Sequence, residues 1–308
     1  MNPYIRSAPR STRVLTIAHR GARSLAPENT LPAFAIAARL GADLVEFDVR
    51  LTRDGKLAVF HDETLERKTD VREVFPGREP FRFSEFSSDE IRRLDSGSWF
   101  DRELSRPAAE RVGYLADLSP EEEAGARLAC VGLASERVRI PFLDEVLEWA
   151  RTASVALNIE LKPAPRRLEP LVRGTLERVV AAGLADRVLV SSFDHEAVRL
   201  AKRLLPGIAA AVLSANRLAG AVSYVTEIVG ADAYHPGSAG DCDAIGLEDD
   251  PRTGAGLDRE LFQSASEAGI GVNVWTVNDP LRMRLLAQAG ATGIVTDHLP
   301  RLQRVLSG

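Results

Sequence analysis

The chain is poor in cysteine: Cys130 and Cys242 are its two, far apart and outside any ligand-spacing pattern. Neither a disulfide framework nor a zinc site follows from them. Long apolar runs are missing as well. No segment approaches the ~18 apolar residues of a membrane span, and the first stretch, MNPYIRSAPRSTRVLTIAHRG, lacks the apolar region of a secretory signal. A cytoplasmic protein without stable membrane insertion is the expectation. A basic surplus is also absent. Lys and Arg number 39 against 44 Asp and Glu, a net charge of −5, which argues against nucleic acid as the main partner. Composition sets no oligomeric state. What is present is 45% hydrophobic and 27% charged residues, an ordinary globular balance, on 308 residues that can bury a substantial core.

The stretch from Gly41 to Asp62, GADLVEFDVRLTRDGKLAVFHD, organises the rest. Val45, Phe47 and Val49 alternate with Glu46 and Asp48, a strand pattern that projects the two carboxylates from one face. Like charges held together repel unless a cation or proton sits between them. Asp54-Gly55 marks a turn, and a short strand, Leu57 to Phe60, then delivers His61-Asp62. An E-x-D pair taken alone more often lies on a solvated face; its company elsewhere changes the balance.

A loose arm is expected over residues 1–13, a strand over Val14–Ala18 ending in His19-Arg20-Gly21, and a helix over about Leu31–Leu40. Residues 63–139 break the rhythm and read as an irregular insertion with too little apolar content for its own core. The part from Asp101 to Val138 looks replaceable by a short linker. Helices then alternate with strands: 143–152, Val155–Leu161, 169–182, Val188–Phe193, 195–204, Ile208–Leu213, 216–228, Ala231–His235, 258–268, Val272–Val277, 280–289 and Gly293–Thr296. Eight strands in strict βα alternation predict an α/β fold, a (β/α)8 TIM barrel with an insertion after strand 2, in one domain spanning about 14–304. A doubly wound open sheet would need a Gly-rich phosphate loop after strand 1, and His-Arg-Gly-Ala-Arg is not one.

In such a barrel the site lies at the C-terminal strand ends. Those ends carry His19-Arg20, Glu46 and Asp48 with His61 following, Asn158-Ile-Glu160-Leu-Lys162, then Asn273, Trp275 and Asn278, and finally Asp297-His298. The carboxylates are hard oxygen donors suited to Mg²⁺ or Ca²⁺, and Arg20 with Lys162 suits an anion, most simply a phosphate. Among the other candidates, His195 reads as a capping or surface group, His235 divides evenly between core and pocket wall, and His298 reads as structural. Trp99 and Trp149 read as packing, and Glu121–Glu123 as a solvated helix start.

The motifs His19-Arg-Gly21, Pro27-Glu-Asn-Thr30, Gly41-Ala-Asp43, Glu46-Phe-Asp48, Thr52-Arg-Asp-Gly55 and His61-Asp62 resemble the glycerophosphodiester phosphodiesterase family. So do Leu94-Asp-Ser-Gly-Ser-Trp99, Asn158-Ile-Glu-Leu-Lys162, Ser191-Ser-Phe193, Trp275-Thr-Val-Asn278 and Gly293-Ile-Val-Thr-Asp297. The match runs from about residue 15 to 300. The resemblance implies metal-dependent hydrolysis of glycerophosphodiesters, small-molecule substrates, to glycerol 3-phosphate and an alcohol. By it Glu46, Asp48 and Glu160 hold a divalent cation, Mg²⁺ or Ca²⁺ with Mn²⁺ also suited. His19 and His61 form the acid–base pair, Arg20 and Lys162 grip phosphoryl oxygens, Trp275 packs on the glycerol, Glu28 orients the inner residues, and Asp62 stands near the mouth behind them. The nucleophile stays open between water and the glycerol 2-hydroxyl.

Two departures bear on substrate choice: the long link before Ile140-Pro-Phe-Leu143 and an acidic, Gly-rich extension at 237–256. A lysophospholipase D or other lipid phosphodiesterase on the same barrel would want an apolar rim, for which Phe75, Phe81, Phe83, Phe86, Trp99 and Phe100 are the candidates. A lyase or aldolase barrel with Lys162 in a Schiff base fits the paired histidine motifs poorly. A silent phosphate-binding module fits the intact site poorly.

Overall fold

A computed structural model describes residues 2–4, 13–133, 137–164, 166–239, 242–246 and 252–308. Its strands are β1 (Leu15–Ala18), β2 (Leu44–Leu51), β3 (Leu57–Val59), β4 (Ala156–Leu161), β5 (Val188–Ser192) and β6 (Ala209–Ser214), followed by β7 (Ala233–Pro236), the small pair β8 (Ser238–Ala239) and β9 (Cys242–Asp243), β10 (Gly271–Val274) and β11 (Gly293–Thr296). The large sheet runs β1-β11-β10-β7-β6-β5-β4-β2-β3, and β1 also pairs with β2. That last pairing closes eight parallel strands into a barrel, with β3 added antiparallel to β2.

Alternation along β2 sorts its side chains. Val45, Phe47 and Val49 face outward into the main core, where Phe47 meets Phe34 of helix Leu31–Arg39 at 5.3 Å between ring centroids. Leu44, Glu46 and Asp48 face inward. The barrel floor is apolar, with the branched side chains of Ile17, Leu44, Leu189 and Val295 set among Ala209, Ala211 and Ala233. The expected loose arm is anchored to it in part: Asn2 is buried and donates to Ala185 O and Val188 O, and Tyr4 packs against both floor clusters. The remainder of that arm lies outside the described residues.

Helices Leu143–Thr152, His195–Leu204 and Pro280–Ala289 fall at the expected positions. The helix expected at 216–228 begins only at Ala221, after Gly220 in the left-handed region at φ 60°, and runs as Ala221–Ser223 into a π-helical turn, Tyr224–Val229. A final helix, Leu299–Ser307, covers β1 and completes the outer ring.

The insertion differs from the expectation of a core-free excursion. Phe60, Leu65, Val71, Phe75, Phe81, Phe83, Phe86, Ile91 and Leu94 form their own buried cluster with Ile140 and Phe142. Few apolar residues suffice because so many are aromatic and interlock, as Phe60 does with Phe83 and Phe75 with Phe86, each pair at 5.4 Å. The second half is not peripheral either: Trp99, Phe100, Leu104, Leu115 and Ala126 belong to the main core. All six aromatics considered for a lipid-facing rim point inward and are buried. Part of the 237–256 extension, residues 240, 241 and 247–251, lies outside the described residues. No helix among the described residues is long and apolar enough to cross a membrane.

Candidate active site

Strand register brings the carboxylates together. In the parallel β2–β4 pair, Glu46 stands opposite Asn158 and Asp48 opposite Glu160. Glu46, Asp48 and Glu160 are all buried and offer oxygens within 4.8 Å of one another. Burial, reinforced by the charges of Asp48 and Glu160, pushes the Glu46 carboxyl well above its usual range. Glu160 rises too, since burial outweighs the pull of Lys162 and Asp48 adds to the rise. Burial also disfavours a charged Asp48, but Lys162 and Arg20 prevail and hold that carboxyl well below the usual range. Lys162 Nζ lies 2.5 Å from Glu160 Oε1 and 3.3 Å from Asp48 Oδ1, yet neither oxygen gains a well-directed hydrogen bond. A buried trio of hard donors, short of positive charge, is a site that a divalent cation fits.

Glycine permits the loop after β1. Gly21 has φ 81°, and a Cβ there would come within 2.8 Å of the Ala33 carbonyl carbon. Arg20 and Asn29 also sit in the left-handed region, at φ 54° and 58°. This backbone aims the Arg20 main-chain N–H at Glu46 Oε2, 2.9 Å away, and sets the Asn29 side chain so that its Nδ2 donates to Asp48 Oδ2 at 2.8 Å. The Arg20 side chain donates to Glu28 Oε1 at 2.8 Å, and its Nε approaches Asp48 Oδ2 at 3.3 Å.

Each candidate histidine is backed by an aspartate. His19 Nδ1 lies 2.6 Å from Asp297 Oδ1; a carboxylate only accepts, so Nδ1 carries the proton and Nε2 is left for the cavity. Burial, then the neighbouring Arg20 charge, lowers the His19 pKa to about 4, so the ring is neutral at pH 7. Asp297 also accepts from Asn278, at 2.8 Å. His61 Nδ1 lies 2.8 Å from Asp62 Oδ1, and Arg67 clamps Asp62 through bonds of 2.7 and 2.9 Å. Arg50 donates twice to the His61 carbonyl, which fixes the end of the hairpin.

These groups meet in a cavity of about 190 Å³ lined by His19, Arg20, Glu46, His61, Glu160, Lys162 and Trp275, with Asn158, Ser191, Phe193 and His235. Of the residues to which the resemblance gives a metal-holding, acid–base or substrate-binding role, Asp48 alone is absent from the lining, lying beneath at 0% exposure; Asn273, Asn278, Asp297 and His298 are absent from it too. Trp275 donates from its indole to His235 O at 2.7 Å and meets Phe193 edge-on at 5.3 Å, which stands its ring against the cavity wall.

His235 lines the cavity, accepts from Asn273 at 2.9 Å, and is pushed down to about 3 by burial. His195 is half-buried and is not the cap. Asp194 caps the helix, while His195 donates from Nε2 to Leu213 O at 2.9 Å and accepts from the Tyr224 hydroxyl at 2.7 Å. His298 is fully buried, as a structural residue would be. Glu122 departs from the solvated helix start: it is buried against Arg301 and His298. Sequence reasoning missed Arg23, Lys68 and Tyr114, which lie behind His19. Arg23 follows a recognised motif, but nothing in the insertion marks Lys68 or Tyr114.

A closed barrel whose strand-end cavity gathers aspartate-backed imidazoles over buried carboxylates defines a class, the (β/α)8 barrels with a polar site at the C-terminal strand ends. The Glycerophosphoryl diester phosphodiesterase family model matches residues 19–300, so the chain belongs to that family and is a phosphoric diester hydrolase. A glycerophosphodiester phosphodiesterase of Bacillus altitudinis is 31% identical over 94% of this chain and 96% of its own length. Among solved structures, a protein named as a glycerophosphoryl diester phosphodiesterase from Silicibacter pomeroyi DSS-3 superposes with a TM-score of 0.72 at 26% identity, over 97% of this chain and 95% of that one. A phosphodiesterase of Oleispira antarctica, solved with its product sn-glycerol-3-phosphate, has a TM-score of 0.71 at 24% identity, over 96% and 97% of the two chains.

Proposed function

We propose that the chain hydrolyses glycerophosphodiesters to glycerol 3-phosphate and an alcohol, as a single domain over about 14–304 with its insertion at 63–139. The observation that carries this is the joining of two aspartate-backed histidines, His19 and His61, with Arg20 and Lys162 around one small cavity. The product bound by the Oleispira antarctica relative supports a small-molecule phosphodiester as substrate.

Glu46, Asp48 and Glu160 would hold the divalent cation, Mg²⁺ or Ca²⁺ with Mn²⁺ also suited to all-oxygen ligands. When bound, that ion supplies charge neutralisation at a phosphoryl oxygen. Arg20 and Lys162 bind the remaining phosphoryl charge. His19, neutral and pinned through Nδ1, takes the proton of the attacking hydroxyl on Nε2. His61, at the rim, delivers a proton to the departing alcohol oxygen. Trp275 packs on the glycerol.

The test is turnover of glycerophosphocholine, followed by release of glycerol 3-phosphate, before and after exhaustive chelation. Activity lost on chelation and restored by Mg²⁺, Ca²⁺ or Mn²⁺ supports the assignment. Full activity after chelation and dialysis removes the metal role.

A further inference from the structure

Behind the cavity, buried ion pairs link the His19–Asp297 pair to Arg20. Arg23 Nη1 lies 3.2 Å from Asp297 Oδ1 and 3.1 Å from His19 Nδ1, while Arg23 Nη2 donates to Glu28 Oε2 at 2.5 Å. The other Glu28 oxygen accepts from Arg20 Nη1 at 2.8 Å. One carboxylate therefore steadies both the arginine packed on His19 and the arginine at the phosphate side.

Two side chains reach this frame from the insertion. Tyr114 lays its ring on the Arg23 guanidinium, 3.9 Å from centroid to Cζ, and its hydroxyl donates to Glu28 Oε2 at 3.2 Å. Lys68 Nζ lies 3.4 Å from the same Glu28 oxygen and 3.2 Å from the centre of the Trp99 ring. Lys68 is only 2% exposed. Burying an ammonium there is unfavourable unless the geometry around Glu28 is held. Arginine has many rotamers, and a flat ring over the guanidinium removes most of them while leaving its edge free to bond. The ring thus fixes the plane of the guanidinium, within which Nη1 meets the His19–Asp297 pair while Nη2 meets Glu28. Neither Tyr114 nor Lys68 lines the cavity, so neither touches substrate.

We propose that Tyr114 and Lys68 are positioning residues: packed from the insertion onto Arg23 and Glu28, they hold the Arg23 guanidinium against His19 and Asp297, and turnover depends on the insertion being docked. The proposal rests on His19 carrying a proton in the reaction.

The experiment uses the full chain and the variants Tyr114→Ala, Tyr114→Phe and Lys68→Met. It measures kcat and KM on glycerophosphocholine, and the side-chain nitrogen resonances of His19, assigned with His19→Gln, without substrate. Where truncation unfolds the chain, Tyr114→Leu, which fills volume without a ring face, takes the place of Tyr114→Ala. Tyr114→Ala should lower kcat by about 10-fold or more with KM within about threefold, the pattern of a group that orders the transition state. Tyr114→Phe keeps the ring over Arg23 and should restore kcat to within about threefold of the parent. Lys68→Met should fall between them. The His19 resonances should move in Tyr114→Ala and stay in Tyr114→Phe. Parental kcat together with unmoved His19 resonances in Tyr114→Ala overturns the proposal. A parent that leaves glycerophosphocholine intact refutes the proposed function instead, and the His19 resonances then still decide the positioning role.

Discussion

His19 and His61 share an aspartate partner but not an environment, and that difference predicts different work. The His19 side chain is 15% exposed and lies against two arginines; that of His61 is 32% exposed at the end of a hairpin. A base must lack its second proton, which burial and Arg20 secure for His19. An acid matters most when the leaving group is poor. His61→Ala should therefore lose ~10²–10⁴-fold on glycerophosphocholine yet retain much activity on a nitrophenyl phosphodiester. His19→Ala should be crippled on both, and the alkaline limb of the pH–rate profile should vanish for His61→Ala on the activated ester. Equal losses on both substrates would refute the division of labour. Among the carboxylates, Glu46→Gln removes a charge at constant size and should weaken Mg²⁺ or Ca²⁺ binding in a calorimetric titration. An affinity equal to the parent's would exclude Glu46 as a ligand. Lys162 faces both Asp48 and Glu160, so Lys162→Met should reduce kcat/KM through binding and turnover together, and an unchanged value would remove it from the site.

At the scale of elements, the insertion is where sequence and structure part. Its first half buries a cluster of phenylalanines on β3 and on the segment that leads into helix Leu143–Thr152. Phe83 is 1% exposed, and Phe83→Ala should lower stability by ~3–5 kcal/mol in denaturant unfolding. A change below about 1 kcal/mol would show the cluster to be loosely packed. The second half contributes Leu104, Leu115 and Ala126 to the main core and Tyr114 to the frame behind His19. Replacement of residues 101–138 by a short linker, which from the sequence looked compatible with a folded barrel of altered substrate preference, should leave an exposed core and an insoluble or unfolded product. A soluble, cooperatively melting deletion variant would contradict this.

For the whole molecule, the closing contact joins the insertion to the last helix. Arg301 donates to Glu122 Oε2 at 2.9 Å and to Asp117 O at 2.7 Å, with His298 Nδ1 3.4 Å from Glu122 Oε1. Burial disfavours a charged Glu122, but the His298 contact, the Ser119 amide and Arg301 outweigh it and bring its pKa down to about 2. The unfolded value is ~4.3, so the unfolded chain takes up this proton first as pH falls. The stabilisation is complete above that value and drains away between about pH 4.5 and 2. Glu122→Gln should flatten this part of the stability–pH curve, and a slope equal to the parent's would dismiss the contact as a stabilising one.

Local chemistry was enough to determine the barrel. Period-two alternation, capping residues and terminal glycines act over a few positions, so the strand ending at Thr296 and the helix at His195–Leu204 could be read from neighbours alone. The carboxylates were legible for the same reason: Glu46 and Asp48 share a strand face by spacing, and Glu160 and Lys162 share another. What pairs with them is decided by contacts distant in sequence. The sequence separations of 278 between His19 and Asp297, and of 86 between Glu28 and Tyr114, leave no periodic trace. Whether a phenylalanine in the insertion faces lipid or core, whether His195 caps a helix or bridges two elements, and whether Glu122 is solvated or buried depend on which surface lies opposite. Burial and ion pairing are properties of two surfaces brought together, and closure of the barrel with the docking of its insertion is what brings them together.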